Sequence, residues 1–362
     1  MAGKVPAVGA AQVRLLERLC RAVAVSGGES EVRRIVLDEI KPYVDEVKVD
    51  ALGNVLAFKK GRGAKRLRLM LDAHMDEVGF MLVADDGEGL FRFKIIGGID
   101  PRYLAGKPVL VGRERLPAVI GAKPIHLTTA EERRKPLAED ALRIDFGPEA
   151  KIKIGERGAF APNFQRVGPS LMSKSLDNRL GVATLIELLK GSYPAIDLCA
   201  AFTVQEEIGL RGARVAAQYF KPDLAIVIDA TPANDLPMQF EGDNTFYNTK
   251  LGLGPAVYVS NSSTLDDPRL VHFMQNIAGK ARIPYQIRQP GGGGTNAGGI
   301  QRAGAGVPVV SVSVPHRYTH SPMSVARIED WKNTLALLHH ALRQITPALL
   351  KRQRKTWTKE NL

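Results

Sequence analysis

After residue 170 the chain alternates amphipathic helical spacing with short runs of solid apolar sequence, and that alternation constrains the fold more than any other feature. Runs such as Leu224-Ala-Ile-Val-Ile228 have no polar face, so strands made from them need cover on both sides. Helices that connect parallel strands supply that cover, which makes the class α/β. The spacing predicts helices over 178–190, 208–220, 266–282, 296–303 and 328–345, and strands over 198–204, 224–228 and 308–314. Ahead of these come helical patterns at 10–24 and 29–44, broken at Ser26-Gly-Gly28, and strands at 46–50, 54–59 and 67–73.

Between Val78 and Val167 the texture changes. Short strands are predicted over 79–83, 90–96, 109–111, 118–120 and 142–146, amid many Gly and Pro, and only the charged stretch 129–141 reads as a helix. This predicts a small β-barrel-like domain over 78–167, inserted into an α/β domain made of 1–77 and 168–350 and followed by a basic tail, 351–362.

The net charge of +12 raises nucleic acid as a partner. Much of the excess, however, lies in two runs, 59–68 and 351–355 with Lys359; no aromatic residue interleaves the first, and Trp357 alone joins the second. A solvated loop and tail account for them, so nucleic acid is not the expected partner. The apolar residues of the N-terminus are interrupted by Gln12, Arg14, Glu17 and Arg18, and no run approaches the roughly 20 residues of a membrane span. With only Cys20 and Cys199 a disulfide framework is excluded, and a cytoplasmic location is expected.

Polar residues fall where the predicted strands end. His74 and Asp76 follow one strand, Glu206 and Glu207 another, Asp229 a third, and His316 and His320 a fourth. Carboxyl ends of strands are where open α/β sheets bind ligands, so these groups can converge although far apart in sequence. Asp177, at a predicted helix start, reads either as an N-cap or as a further member. Taken singly each residue has an ordinary explanation. Together they make a set of histidines and carboxylates with no cysteine and no nucleophile elbow, which suits Zn²⁺, Co²⁺ or Mn²⁺. Two such ions bridged by one carboxylate polarise a carbonyl and generate hydroxide near neutral pH. Adjacent Glu206 and Glu207 point to opposite sides if extended, so one can hold a metal while the other serves as general base. Pro315 and Pro322 argue against a helix across His316 and His320, so this pair is not expected to clamp one ion from a single helix face.

The blocks LDAHMDEVGF, SKSLDNRLG, TVQEEIGLRGA, IDATPAND, GGGGTNAGG and PHRYTHSP, in this order along nearly the whole chain, resemble the dinuclear metallo-aminopeptidases of metallopeptidase family forty-two. The resemblance implies a zinc-exopeptidase-like, mostly parallel mixed sheet flanked by helices. It implies two divalent ions, zinc or cobalt with manganese as a further candidate: His74 and Asp229 on one, Glu207 and His320 on the other, and Asp177 between them. Glu206 would be the general base and Asp76 the carboxylate that orients His74. Peptides would be the substrates, losing their N-terminal residue. The β insertion would build a dimer contact, and dimers would close into a dodecamer.

The glycine-rich loop lacks the G-K-[ST] of a phosphate-binding loop and reads instead as a backbone wall of the substrate site, with Gly293, Gly294, Asn296, His316 and Arg317 as its candidate contacts. Two positions depart from the family pattern: Asn296 stands where an aspartate is usual, and His316 where a small residue is commoner. Arg288, Arg317 and Lys250 are candidate carboxylate partners that would favour acidic N-termini. The alternatives are a glycan-processing hydrolase built on paired carboxylates, a label that related members have carried, and a non-catalytic basic scaffold.

Overall fold

The computed structural model describes residues 6–148, 150–237, 244, 247–289 and 292–350, so the basic tail 351–362 lies outside the described residues. Helices α1 (Ala10–Arg21) and α2 (Ser30–Ile40) lead into strands β1 (Glu46–Val49), β2 (Val55–Lys59) and β3 (Leu67–His74). The insertion follows: β4 (Gly79–Asp85), β5 (Leu90–Ile96), β6 (Pro108–Val111), β7 (Leu116–Gly121), the short α3 (Ala130–Arg134), β8 (Arg143–Asp145) and β9 (Arg157–Phe160). The chain then returns through β10 (Gln165–Val167) and β11 (Ser170–Ser173) to α4 (Leu176–Leu189), β12 (Ile196–Thr203), α5 (Arg211–Phe220) and β13 (Leu224–Pro232). It ends with β14 (Ala256–Val257), α6 (Pro268–Ala281), β15 (Gln286–Ile287), α7 (Ala297–Gln301), β16 (Val309–Arg317), β17 (Ser324–Arg327) and α8 (Ile328–Gln344).

Among the described residues these form one eleven-stranded mixed sheet and one closed barrel. The centre of the sheet, β12-β3-β13-β16, is parallel, and the flanking strands pair antiparallel except for the short parallel pair β14-β15. β3 shows why both faces must be covered. Leu67, Leu69, Leu71 and Ala73 pack into the larger apolar cluster with residues of α1, α4 and α8, whereas Met70 points the other way, against Ala213, Ala216, Ala297 and Ile300 of α5 and α7. Only Arg68 of β3 is exposed, so the strand has no solvent face and reads as a solid apolar run.

The barrel runs β4-β5-β8-β7-β6-β9 around Phe80, whose ring meets Phe93 and Phe160 edge-on at 5.3 and 5.2 Å. Its strands end at Phe160, while β10 pairs with β11 in the large sheet. Other expectations shift for local reasons. The predicted helix 129–141 is only α3 plus a 3₁₀ turn at Glu139–Ala141, because Pro136 cannot continue it. The helix expected from 208 begins at Arg211, since Gly209 and Leu210 take positive φ of 120° and 58°. The strand expected to end at 314 continues to Arg317, which places His316 inside β16. Strands β9, β10, β11, β14, β15 and β17 were not predicted; none exceeds four residues, too short to show a period. No helix of the described residues is long and apolar enough to cross a membrane.

Candidate metal centre

The carboxyl ends of β3, β12, β13 and β16 meet at one cleft of about 380 Å³. β3 delivers His74 as its last residue, β13 carries Asp229, Glu206 and Glu207 follow β12, and His320 follows β16. Asp177 comes from the start of α4. It does not cap that helix. Asn178 does so, its Oδ1 accepting from the Gly181 N–H at 2.9 Å while its Nδ2 donates to the Ile228 carbonyl at 2.8 Å. Asp177, with non-helical φ and ψ, is thereby free to face the histidines.

Two groups of donors result, and they share Asp177. In the first, His74 Nε2 lies 3.1 Å from Asp177 Oδ1 and 3.5 Å from Asp229 Oδ1. In the second, His320 Nε2 lies 3.1 Å from Glu207 Oε2 and 3.7 Å from Asp177 Oδ2. The five predicted ligands are therefore together, with one oxygen of Asp177 facing each group. An all-nitrogen-and-oxygen set of this kind, with one carboxylate between two trios, fits a pair of divalent ions of the zinc, cobalt or manganese type.

The supports of these side chains are as informative as the donors. Asp76 is fully buried; its Oδ1 accepts from the Glu206 N–H at 3.0 Å, and its Oδ2 from the Glu207 N–H at 3.1 Å and the Ser26 hydroxyl at 2.6 Å. It also faces His74 Nδ1, at 3.5 Å from Oδ1. The carboxylate thus fixes the backbone of both glutamates, while the hydrogen-bond partner of His74 Nδ1 is the Asp76 backbone carbonyl, at 3.2 Å. His320 Nδ1 meets the Gly98 carbonyl at 2.9 Å, so the segment after β5 orients a candidate ligand that follows β16. Next to Asp76, the buried Glu77 pairs with Lys174 Nζ at 2.7 Å and Arg179 Nη2 at 2.9 Å, and Arg179 also donates to the Met75 carbonyl. This cluster ties the segment bearing Asp177 to the end of β3. Losing Glu77 would leave two buried cations without their carboxylate, at a cost on the order of 3–5 kcal/mol.

Crowded carboxylates move one another. Burial, and then the charges of Glu207, Asp229 and Asp76, hold the Glu206 carboxyl well above its usual range although His74 opposes the shift. Burial also raises Asp229 and Glu207. Asp177 is held down at about 2: burial pushes it up, but the hydrogen bond and charge of His74, with His316 and His320, outweigh it. His320 rises to about 9 against its burial, through Glu207 and Asp177. Protonated imidazole is here the positive partner that the carboxylates attract, and a divalent cation answers the same field.

Not every predicted contact reaches the cleft. Gly293 and Gly294 line it, and so does Arg288. Asn296 does not: it is 1% exposed and turned beneath the loop, toward Asp72. Arg317 turns to Asp235, at 2.6 and 3.0 Å, and Lys250 lies over the Tyr247 ring. His316 is buried in β16, its Nε2 2.9 Å from the Thr319 hydroxyl, and stands in neither donor group. Sequence reading missed Asp72, Glu77 with its two cations, and Gly98. An acid inside the apolar run of β3 was a signal for Asp72; a backbone carbonyl gives none.

The sequence profile of the M42 glutamyl aminopeptidases matches residues 53–337. A lysyl aminopeptidase of Pyrococcus furiosus is 33% identical over 348 residues, covering 92% of this chain and 97% of that protein. Among solved structures, an aminopeptidase of the archaeon Desulfurococcus kamchatkensis superposes with a TM-score of 0.88 at 32% identity, covering 94% of this chain and 96% of that one. The TET1 peptidase of Pyrococcus horikoshii, which can assemble into a tetrahedron or a large octahedral shell, superposes at 0.80 with 31% identity, over 92% of this chain and all of that one. With most of its length matched by the profile and by these full-length relatives, the chain belongs to the M42 glutamyl aminopeptidase family.

Proposed function

We propose that the chain hydrolyses the N-terminal residue from peptides at a dinuclear metal centre, with Glu206 as general base. The observation that carries this reading is the pair of donor groups sharing Asp177, with the carboxylate of Glu206 beside them in the same cleft. His74 and Asp229 would hold one ion, Glu207 and His320 the other, and Asp177 both. Such ions supply Lewis acidity toward a carbonyl and acidify water. The protein's own groups do the rest. Glu206 accepts a proton from the attacking water and returns it to the nitrogen of the leaving peptide. Asp76 keeps Glu206 and Glu207 in register through their backbone N–H groups. The free amine of an N-terminal residue would bind at the metal site or an adjacent carboxylate, which favours cutting one residue from the end.

The side-chain preference follows from the far wall of the cleft. Arg288 is 5% exposed, lines the cleft and lies over the Tyr258 ring; Nη2 donates to the Gly292 carbonyl and Nε to Thr231 Oγ1, but Nη1 has no hydrogen-bond partner. A buried guanidinium with an unspent donor favours an acidic side chain. A panel of aminoacyl-p-nitroanilides, assayed with zinc, cobalt or manganese, tests the reading. Glutamyl and aspartyl substrates should be cleaved best, excess chelator should abolish turnover, and Arg288→Met should lower kcat/KM for the acidic substrates by about 10- to 100-fold with little effect on leucyl ones. Cleavage of a glucan in excess chelator, with none of any peptide, would point to the glycosidase instead.

The same reading extends to assembly as a homo-oligomer, dimers joined through the barrel domain and twelve subunits in the particle. Apolar side chains on that domain support it: Ile125 is 72% exposed, Leu127 60% and Ile154 60%. Sedimentation should show a particle many times the 39.4 kDa of one chain, and a monomer at micromolar concentration would remove this part of the reading.

A further inference from the structure

Strand β3 carries a carboxylate where a buried strand has least use for one. Asp72 is fully buried, two residues before His74 and on the same face of the strand. Its Oδ2 accepts from Asn296 Nδ2 at 2.7 Å, and that same Nδ2 reaches Thr203 Oγ1 at 2.9 Å. Thr203 is the last residue of β12 and the register partner of His74. One amide therefore bridges the two central strands at the level of the donor groups. Asp72 Oδ1 and Asn296 Oδ1 have no hydrogen-bond partner, so the two side chains meet through Oδ2 and Nδ2, with Thr203 beside them.

What the amide holds is the wall of the cleft. Asn296 is separated by Thr295 alone from Gly292, Gly293 and Gly294, all of which line the cleft, and Gly293 takes φ of +85°. Glycines have no side chains with which to fix such a wall. Thr295 adds one anchor, its Oγ1 3.1 Å from Ser311 Oγ, and Asn296 adds the anchor to β3 and β12.

We infer that Asp72 and Asn296 are a matched positioning pair, which fixes the glycine wall of the cleft relative to the metal centre and so governs substrate binding rather than metal loading. The inference rests on the aminopeptidase reading for its kinetic part only. An amide at 296 is required by the acid at 72: two facing carboxylates would repel or share a proton, and the donor to Thr203 would be lost in either case. Exchanging the two residues restores an amide facing an acid.

The test uses the metal-loaded full chain and compares Asn296→Asp, Asp72→Asn and the exchanged double variant, reading kcat and KM, metal content, and hydrogen exchange of the 292–298 backbone. Asn296→Asp should raise KM at least tenfold, speed exchange of the loop and leave metal content unchanged. The exchanged variant should bring KM within about threefold of the parent and slow the exchange again, a non-additivity that only a direct pair produces. If Asn296→Asp does not fold, the exchanged variant still decides, because it must fold and recover the parental values. An exchanged variant no better than Asn296→Asp, or an Asn296→Asp with parental KM and loop exchange, overturns the pairing. A parent chain inactive on every peptide would remove the proposed reaction, while the exchange data would still accept or reject the pair.

Discussion

Glu206→Gln is expected to lower kcat on aminoacyl-p-nitroanilides by about 10³-fold, within the range that a positioned general base contributes, with metal content and folding unchanged. The substitution keeps the shape of the side chain and removes its capacity to take a proton. Nothing structural depends on that carboxylate, which makes no hydrogen bond among the described residues, whereas the backbone N–H that Asp76 holds survives the change. Burial and the neighbouring acids raise the Glu206 carboxyl well above that of an ordinary glutamate. A base works only when deprotonated. The parent enzyme should therefore lose kcat as pH falls through that raised value, and the residual activity of Glu206→Gln should lack this acidic limb. Retained turnover, or loss of a metal equivalent in the variant, would remove Glu206 from the role of base and make it a ligand or a bystander.

The sequence showed which residues meet and hid what holds them. Parallel strands buried on both faces read as apolar runs, so the polar residues at their ends stand out: His74, Glu206, Glu207 and Asp229 were legible for that reason. Asp177 was legible only as one of two readings, because a helix start accepts an aspartate as a cap; the structure gives the capping to Asn178 and turns Asp177 to the histidines. Asp76 was expected to orient His74, but its hydrogen bonds to the amides of Glu206 and Glu207 come from a distant strand and carry no local signal. The same holds for the Gly98 carbonyl on His320. Asn296 was read as a carboxylate missing from the substrate wall. The acid is instead at Asp72, within hydrogen-bonding distance of Asn296, a pairing across more than 200 residues that no local pattern encodes.

His320→Ala should cost one of two metal equivalents and at least about 10²-fold in kcat/KM, whereas His316→Ala should keep both equivalents, with its losses confined to thermal stability and modest changes in rate. The two rings are four residues apart and differ in what surrounds them. His320 offers its Nδ1–H to the Gly98 carbonyl, which leaves Nε2 as the nitrogen that faces Glu207 and Asp177. Its backbone takes a positive φ of 56°, a conformation reached beyond the end of β16 that carries the ring to the cleft. His316 is still inside β16, paired with Ala326 on one side and Pro232 on the other, and its ring is fully buried. Burial lowers its pKa, and its Nε2 is engaged by Thr319, which itself lines the cleft. His316 thus supports the loop that carries His320. Metal analysis of the two variants separates the roles: an equivalent lost from His316→Ala, with His320→Ala unaffected, would assign the ligand to the other histidine.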